Sequence, residues 1–169
     1  MTRSKNLSDI TEALVFYSRA VNFNIQGAGK AFTNSFFLIW HHDEAVRNEC
    51  IMAFKNVFLT DGASTDPQPL NANEIVTNLA GLVNRCDVSE IASLEKIVGE
   101  LFKSNIDANI TQALWAKLFH ASDDGVASGN YLKVLTIVAK CVPEVNIYTC
   151  IYVHIILFLI PLFIFFLIS

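Results

Sequence analysis

The chain has 169 residues, enough for one domain or for a slice of a larger protein. Its 12 Lys and Arg against 16 Asp and Glu leave a net charge of -4. No basic run is present, which argues against a dedicated nucleic-acid module and leaves only weak or shared DNA contact open. Four cysteines, Cys50, Cys86, Cys141 and Cys150, are widely spaced without a CxxC pair, and three of them occupy helix-core positions. They read as free thiols in a reducing compartment.

The first stretch, MTRSKNLSDITEA, lacks the apolar core of a signal peptide, so nothing there directs secretion. Residues 1–7 are polar and expected to fray. From Ser8, a predicted N-cap, the residues Ile10, Ala13, Leu14, Tyr17, Ala20 and Val21 recur at helical spacing. The pattern weakens at Asn22-Phe23-Asn24 and is broken by Gln26-Gly27-Ala28-Gly29. A second helix over residues 28–40 carries Ala28, Ala31, Phe32, Phe36, Ile39 and Trp40. A sharp corner at His41-His42-Asp43 leads into an antiparallel helix capped by Asp43. Its apolar stripe is Val46, Cys50, Ala53, Phe54, Val57 and Phe58, with Arg47, Asn48, Lys55 and Asn56 off the stripe.

Thr60 to Pro69 is a turn-rich connector. Asn71 with Glu74 forms a capping-box start for a helix bearing Ile75, Leu79, Leu82 and Val83. Asp87 with Glu90 repeats that signal before Val88, Ile91, Leu94, Ile97, Val98, Leu101 and Phe102. Asp107 opens a helix with Ile110, Ala113, Leu114 and Leu118. After Asp123-Asp124-Gly125 a last helix runs from Val126 to Cys141, with Leu132, Leu135, Val138 and Ala139 as its apolar side. No segment alternates with period two, so the expected fold is all-α. Paired helices start near Gly27, Asn71, Asp107 and Pro143, at steps of 44, 36 and 36 residues. Helical hairpins recurring at about 40 residues predict a HEAT- or armadillo-type solenoid of about three hairpins, with an ordinary helical bundle as the alternative. Each hairpin leaves an apolar face that its neighbour must cover.

The motifs that could carry chemistry are weak. Gly27-Ala28-Gly29-Lys30 lacks the remaining glycine and hydroxyl of a phosphate loop, since Asn24 and Ala31 stand in those places. His41, His42, Asp43 and Glu44 are consecutive, and adjacent helical side chains diverge instead of converging on a metal. Asp123-Asp124-Gly125 lacks the alternating oxygens and closing Glu of a calcium loop. No catalytic, cofactor-binding or metal residue is nominated, and the expectation is a non-enzyme. Trp40 and Trp115 are assigned to core packing, with partner anchoring as the alternative.

Several stretches resemble a known family by their wording. The HEAT-repeat core of the condensin subunit 1 family carries a Leu-hydrophobic-Trp segment, a short acidic corner, and a Val-Arg helix ending in Ala-aromatic-basic and hydrophobic-aromatic-Leu. Here these are Leu38-Ile39-Trp40, Asp43-Glu44, Val46-Arg47, Ala53-Phe54-Lys55 and Val57-Phe58-Leu59. Ser93 to Glu100 and Ile110 to Trp115 look like two further pieces of that family. The match covers residues 8–145, and the related subunit of condensin II is its nearest competitor. Proteins of the family are many times longer, so the resemblance implies a short internal piece. It implies an architectural role: a curved clamp binding the kleisin subunit, touching DNA and the SMC ATPase heads, in mitotic chromosome condensation in the nucleus. Histones would be reached through the whole complex, and the ATPase lies in other subunits. No partner-contact residue is assigned, although Arg47 and Lys55 lie off the apolar stripe.

The domain reading is thus a HEAT segment over 8–146 and an apolar tail over 147–168. Pro143-Glu144 reads as the first turn of a fourth repeat. The 22 tail residues that follow carry no formal charge and are long enough to span a bilayer as an apolar helix. Their Ile, Leu, Phe, Tyr and Val are favoured by AT-rich codons. We read them as translated non-coding sequence, with a C-terminal membrane anchor on a helical interaction protein as the alternative.

Overall fold

The computed structural model describes residues 7–62, 68–102, 108–121 and 125–141. Among them the chain is helical, in the order α1 (Leu7–Asn22), α2 (Ala28–Thr33), a 3-10 helix (Phe36–Trp40), α3 (Glu44–Phe58), α4 (Ala72–Arg85), α5 (Val88–Phe102), α6 (Ala108–His120) and α7 (Gly125–Cys141). No strand occurs among the described residues; one isolated bridge joins Thr60 and Pro69. Residues 1–6 of the predicted frayed start, the Asp107 cap, the Asp123-Asp124 turn, the Pro143-Glu144 repeat start, Cys150 and the apolar tail 147–168 lie outside them, whereas Leu7, expected to fray, begins α1. No described helix is long and apolar enough to cross a membrane.

Local chemistry sets the helix boundaries. Asn71 accepts from Glu74 N at 3.0 Å while the Glu74 carboxylate accepts from Asn71 N at 3.1 Å, closing the expected box. Asp87 and Glu90 do the same for α5, both at 2.9 Å. The Asp43 carboxylate accepts from Ala45 N at 2.8 Å. Ser8, expected as a cap, lies inside α1, and its hydroxyl donates to Glu12 at 3.0 Å. The end of α1 is set by Asn24, at φ 53°: Ile25 N donates to Ala20 O and Asn24 N to Val21 O. That left-handed pairing satisfies the last carbonyls, and asparagine tolerates it better than most residues. The helix expected over 28–40 divides into α2 and the 3-10 helix, because the chain turns at Asn34-Ser35.

A single apolar cluster runs from Ile10 in α1 to Val138 in α7. Packing is local in chain order. The 3-10 helix and α1 both pack on α3, α5 lies between the 3-10 helix and α7, and α4 packs on α6 and α7. Extensive packing joins elements no more than three apart, the Lys30–Glu90 ion pair between α2 and α5 reaching one further, and none of it returns from the later helices to α1. This arrangement is compatible with a helical solenoid. It departs from simple pairing in the middle: α4 and α5 are not packed extensively on each other, and α7 packs on both.

Candidate partner face around the 3-10 helix and α5

The acidic corner is held by Arg47. One guanidinium nitrogen donates to the carbonyls of His41 and His42, each at 2.9 Å, where the 3-10 helix runs out of internal donors. Asp43 N donates to His41 Nδ1 at 3.1 Å, and the two imidazole rings lie 4.3 Å apart. Arg47, considered above as an off-stripe cation, is therefore engaged in folding its own corner, whereas Lys55 is exposed on α3. Removing those bonds in Arg47→Ala is expected to cost about 1–3 kcal/mol, read as a lower urea midpoint with an unchanged slope. Among the described residues no group of three or more His, Cys, Asp or Glu converges as a metal site would require.

Polar contacts tie α5 to its neighbours on both sides. Lys30 of α2 donates to the Glu90 carboxylate at 2.8 Å, and Glu90's side chain is only 7% exposed. Burial pushes that carboxyl up. Bonds from Lys30, from the Asp87 backbone and from Thr33 favour the charged form, override burial and hold it below its ordinary 4.5. The same bond holds the Lys30 ammonium above its ordinary 10.5. This ion pair gives Lys30 a role within the fold, and Gly27, at φ 80°, begins a six-residue helix. On the other side Lys140 donates to Glu95 at 2.7 Å, and Cys141 Sγ donates to the Glu95 carbonyl at 3.4 Å.

Trp40 corrects the core assignment: it is 61% exposed. Its indole Nε1 donates to Ser93 Oγ of α5 at 3.2 Å, and Ser93 donates in turn to Ser89 O. Phe37 is 50% exposed and stands three residues earlier, where 3-10 geometry eclipses side chains. The pair makes an aromatic surface beside α5, with the indole oriented by its hydrogen bond. The bond to Ser93 crosses 53 residues, which spacing along the chain could not show. Val88 and Leu132, expected on apolar faces, are also exposed. Trp115 is half-buried against the core and stacks on Phe119 at 6.0 Å.

Cys50, Cys86 and Cys141 are free thiols, and burial pushes Cys50 up to about 12 and Cys86 up to about 11. Thiols so shifted carry little thiolate at neutral pH and are poor nucleophiles.

No protein-family model matches the chain. Over 119 residues, 67% of its length, the chain is 29% identical to condensin complex subunit 1 of Saccharomyces cerevisiae. It spans 10% of that protein, so its similarity is to a segment of a much longer subunit.

Proposed function

We propose that this chain is a HEAT-type segment of about three helical hairpins acting as a non-catalytic scaffold of a condensin complex. It binds the kleisin and SMC subunits and works in mitotic chromosome condensation, with DNA or histones reached through the whole complex. The similarity to condensin complex subunit 1 across two thirds of the chain carries this reading. An all-helical stack with locally ordered packing supports it, because stacked helices offer an extended surface to a partner chain. The exposed, oriented Trp40 beside Phe37 is the surface we assign first to such a partner, since buried aromatic anchors dominate interface energies.

The test is expression of the full chain with a fluorescent tag in dividing cells, followed by affinity purification. The expected result is nuclear signal that labels mitotic chromosomes, with kleisin and SMC subunits recovered, and loss of both in Trp40→Ala. A reticular membrane pattern without condensin subunits would replace this reading with a membrane-anchored helical interaction protein, which the uncharged residues 147–168 would explain.

A further inference from the structure

The outward side of α1 carries a stripe that is complementary to itself when reversed. Ser8, Glu12, Val15, Phe16 and Arg19 lie at helical spacing opposite the buried Ile10, Ala13, Leu14 and Ala20. Phe23 prolongs the stripe past the helix end, where its N–H still donates to Arg19 O at 3.0 Å. All six stripe residues are exposed, Phe16 by 61%. The Phe16 ring stands edge-on to Tyr17, with centroids 5.8 Å apart, so it projects from the helix as a braced knob.

Beside Phe16 lies a shallow groove of roughly 390 Å³, lined by Thr11, Glu12, Val15, Phe16 and Arg19 of α1 and by Glu49 of α3. Among the described residues the Arg19 guanidinium forms no ion pair, and Glu12 accepts from the Ser8 hydroxyl at 3.0 Å. Reversing the helix about the midpoint between Val15 and Phe16 exchanges those two residues. It also exchanges Glu12 with Arg19 and Ser8 with Phe23. That exchange is what a two-fold contact between identical surfaces demands, because residue i must suit j wherever j suits i.

We propose that this face binds the same face of a second copy of the chain, with the two α1 helices antiparallel about a two-fold axis beside Val15 and Phe16. Each Glu12 then meets the partner's Arg19, so two ion pairs flank an apolar centre, the usual arrangement of core and rim in an interface. A parallel pairing would set like charges against each other, and the charges therefore select the antiparallel one. From Ser8 to Phe23 the stripe rises about 22 Å. One helix face of that length sits at the small end of specific interfaces, below about 1,200 Å² in total, so the dimer is weak, with Kd in about the micromolar range.

The test follows the mass of the full chain by sedimentation equilibrium across the micromolar range, in a mild non-ionic detergent because residues 147–168 are apolar. The wild type is expected to pass from monomer to dimer as concentration rises. Phe16→Asp should raise Kd by about tenfold or more, since it sets a carboxylate at the centre of the contact. Glu12→Arg and Arg19→Glu should each raise it by about fivefold or more, because each turns two attractive pairs into two repulsive ones. Mixed together, these two charge variants should form a heterodimer within about twofold of wild-type affinity. The double exchange Glu12→Arg with Arg19→Glu should likewise recover the homodimer. Recovery on mixing cannot come from misfolding, and circular dichroism checks the helical content of each variant. A monomer at every concentration, association indifferent to the charge variants, or a mixture no tighter than its components would each overturn the proposal. Indifference would assign the association to residues 147–168 instead. No condensin subunit takes part, so this result and the chromosome-labelling result stand or fall separately.

Discussion

Phe54→Ala is expected to be the most damaging single truncation in the stack, with a loss of about 3–5 kcal/mol. Phe54 is 1% exposed, with ring centroids 5.8 Å from Phe36 and 4.9 Å from Phe58. Those neighbours connect it through Phe32 to α2, so the ring joins three elements of the first half of the stack. Truncating a buried phenylalanine costs about 3–5 kcal/mol, against a total stability of about 5–15 kcal/mol for an ordinary domain. Urea denaturation followed by far-ultraviolet circular dichroism checks the outcome. Met52→Ala, on the same helix but 49% exposed, should stay within about 0.5 kcal/mol of the wild type. Equal stability for both variants would mean that the aromatic cluster does not hold the stack together.

Glu90→Ala should show the next largest effect, about 1–3 kcal/mol at neutral pH, because it removes a buried carboxylate that accepts from Lys30 and from the α5 N-terminus. The pH dependence follows from the direction of the shift. The folded-state carboxyl lies below its ordinary 4.5, so its contribution is fully present above that value. It is lost as pH falls from 4.5 down through the lowered folded-state value. Glu90→Gln should therefore be less stable than the wild type at neutral pH and approach it in acid. Asp87 is also held below its ordinary value, chiefly by the Glu90 backbone N–H, so some acid sensitivity persists in the variant. Lys30→Met should move the loss to higher pH by leaving the buried carboxylate without its cation. Parallel stability curves for wild type and Glu90→Gln across this range would refute the assignment.

Both predictions separate local from long-range causes, and the same division explains what could be read in advance. Asp43, Asn71 with Glu74, and Asp87 with Glu90 act within a single turn, and their caps stand where the sequence places them. The apolar stripe of α3 is likewise local, and Val46, Cys50, Ala53, Phe54 and Phe58 are all buried. The candidate sites were not legible. Lys30 meets Glu90 across 60 residues and Trp40 meets Ser93 across 53, and no short-range pattern encodes those pairings.

The amino-acid sequence by itself determined an all-helical chain, the stripes that become its core and most of the places where its helices begin, because capping and amphipathic spacing act over a few residues. Tertiary packing alone decided that Trp40 faces outward and bonds to Ser93, that Lys30 pairs with Glu90, and that α7 packs on both α4 and α5. A stripe states that a face must be covered but leaves open which helix covers it. That choice depends on how whole surfaces fit together.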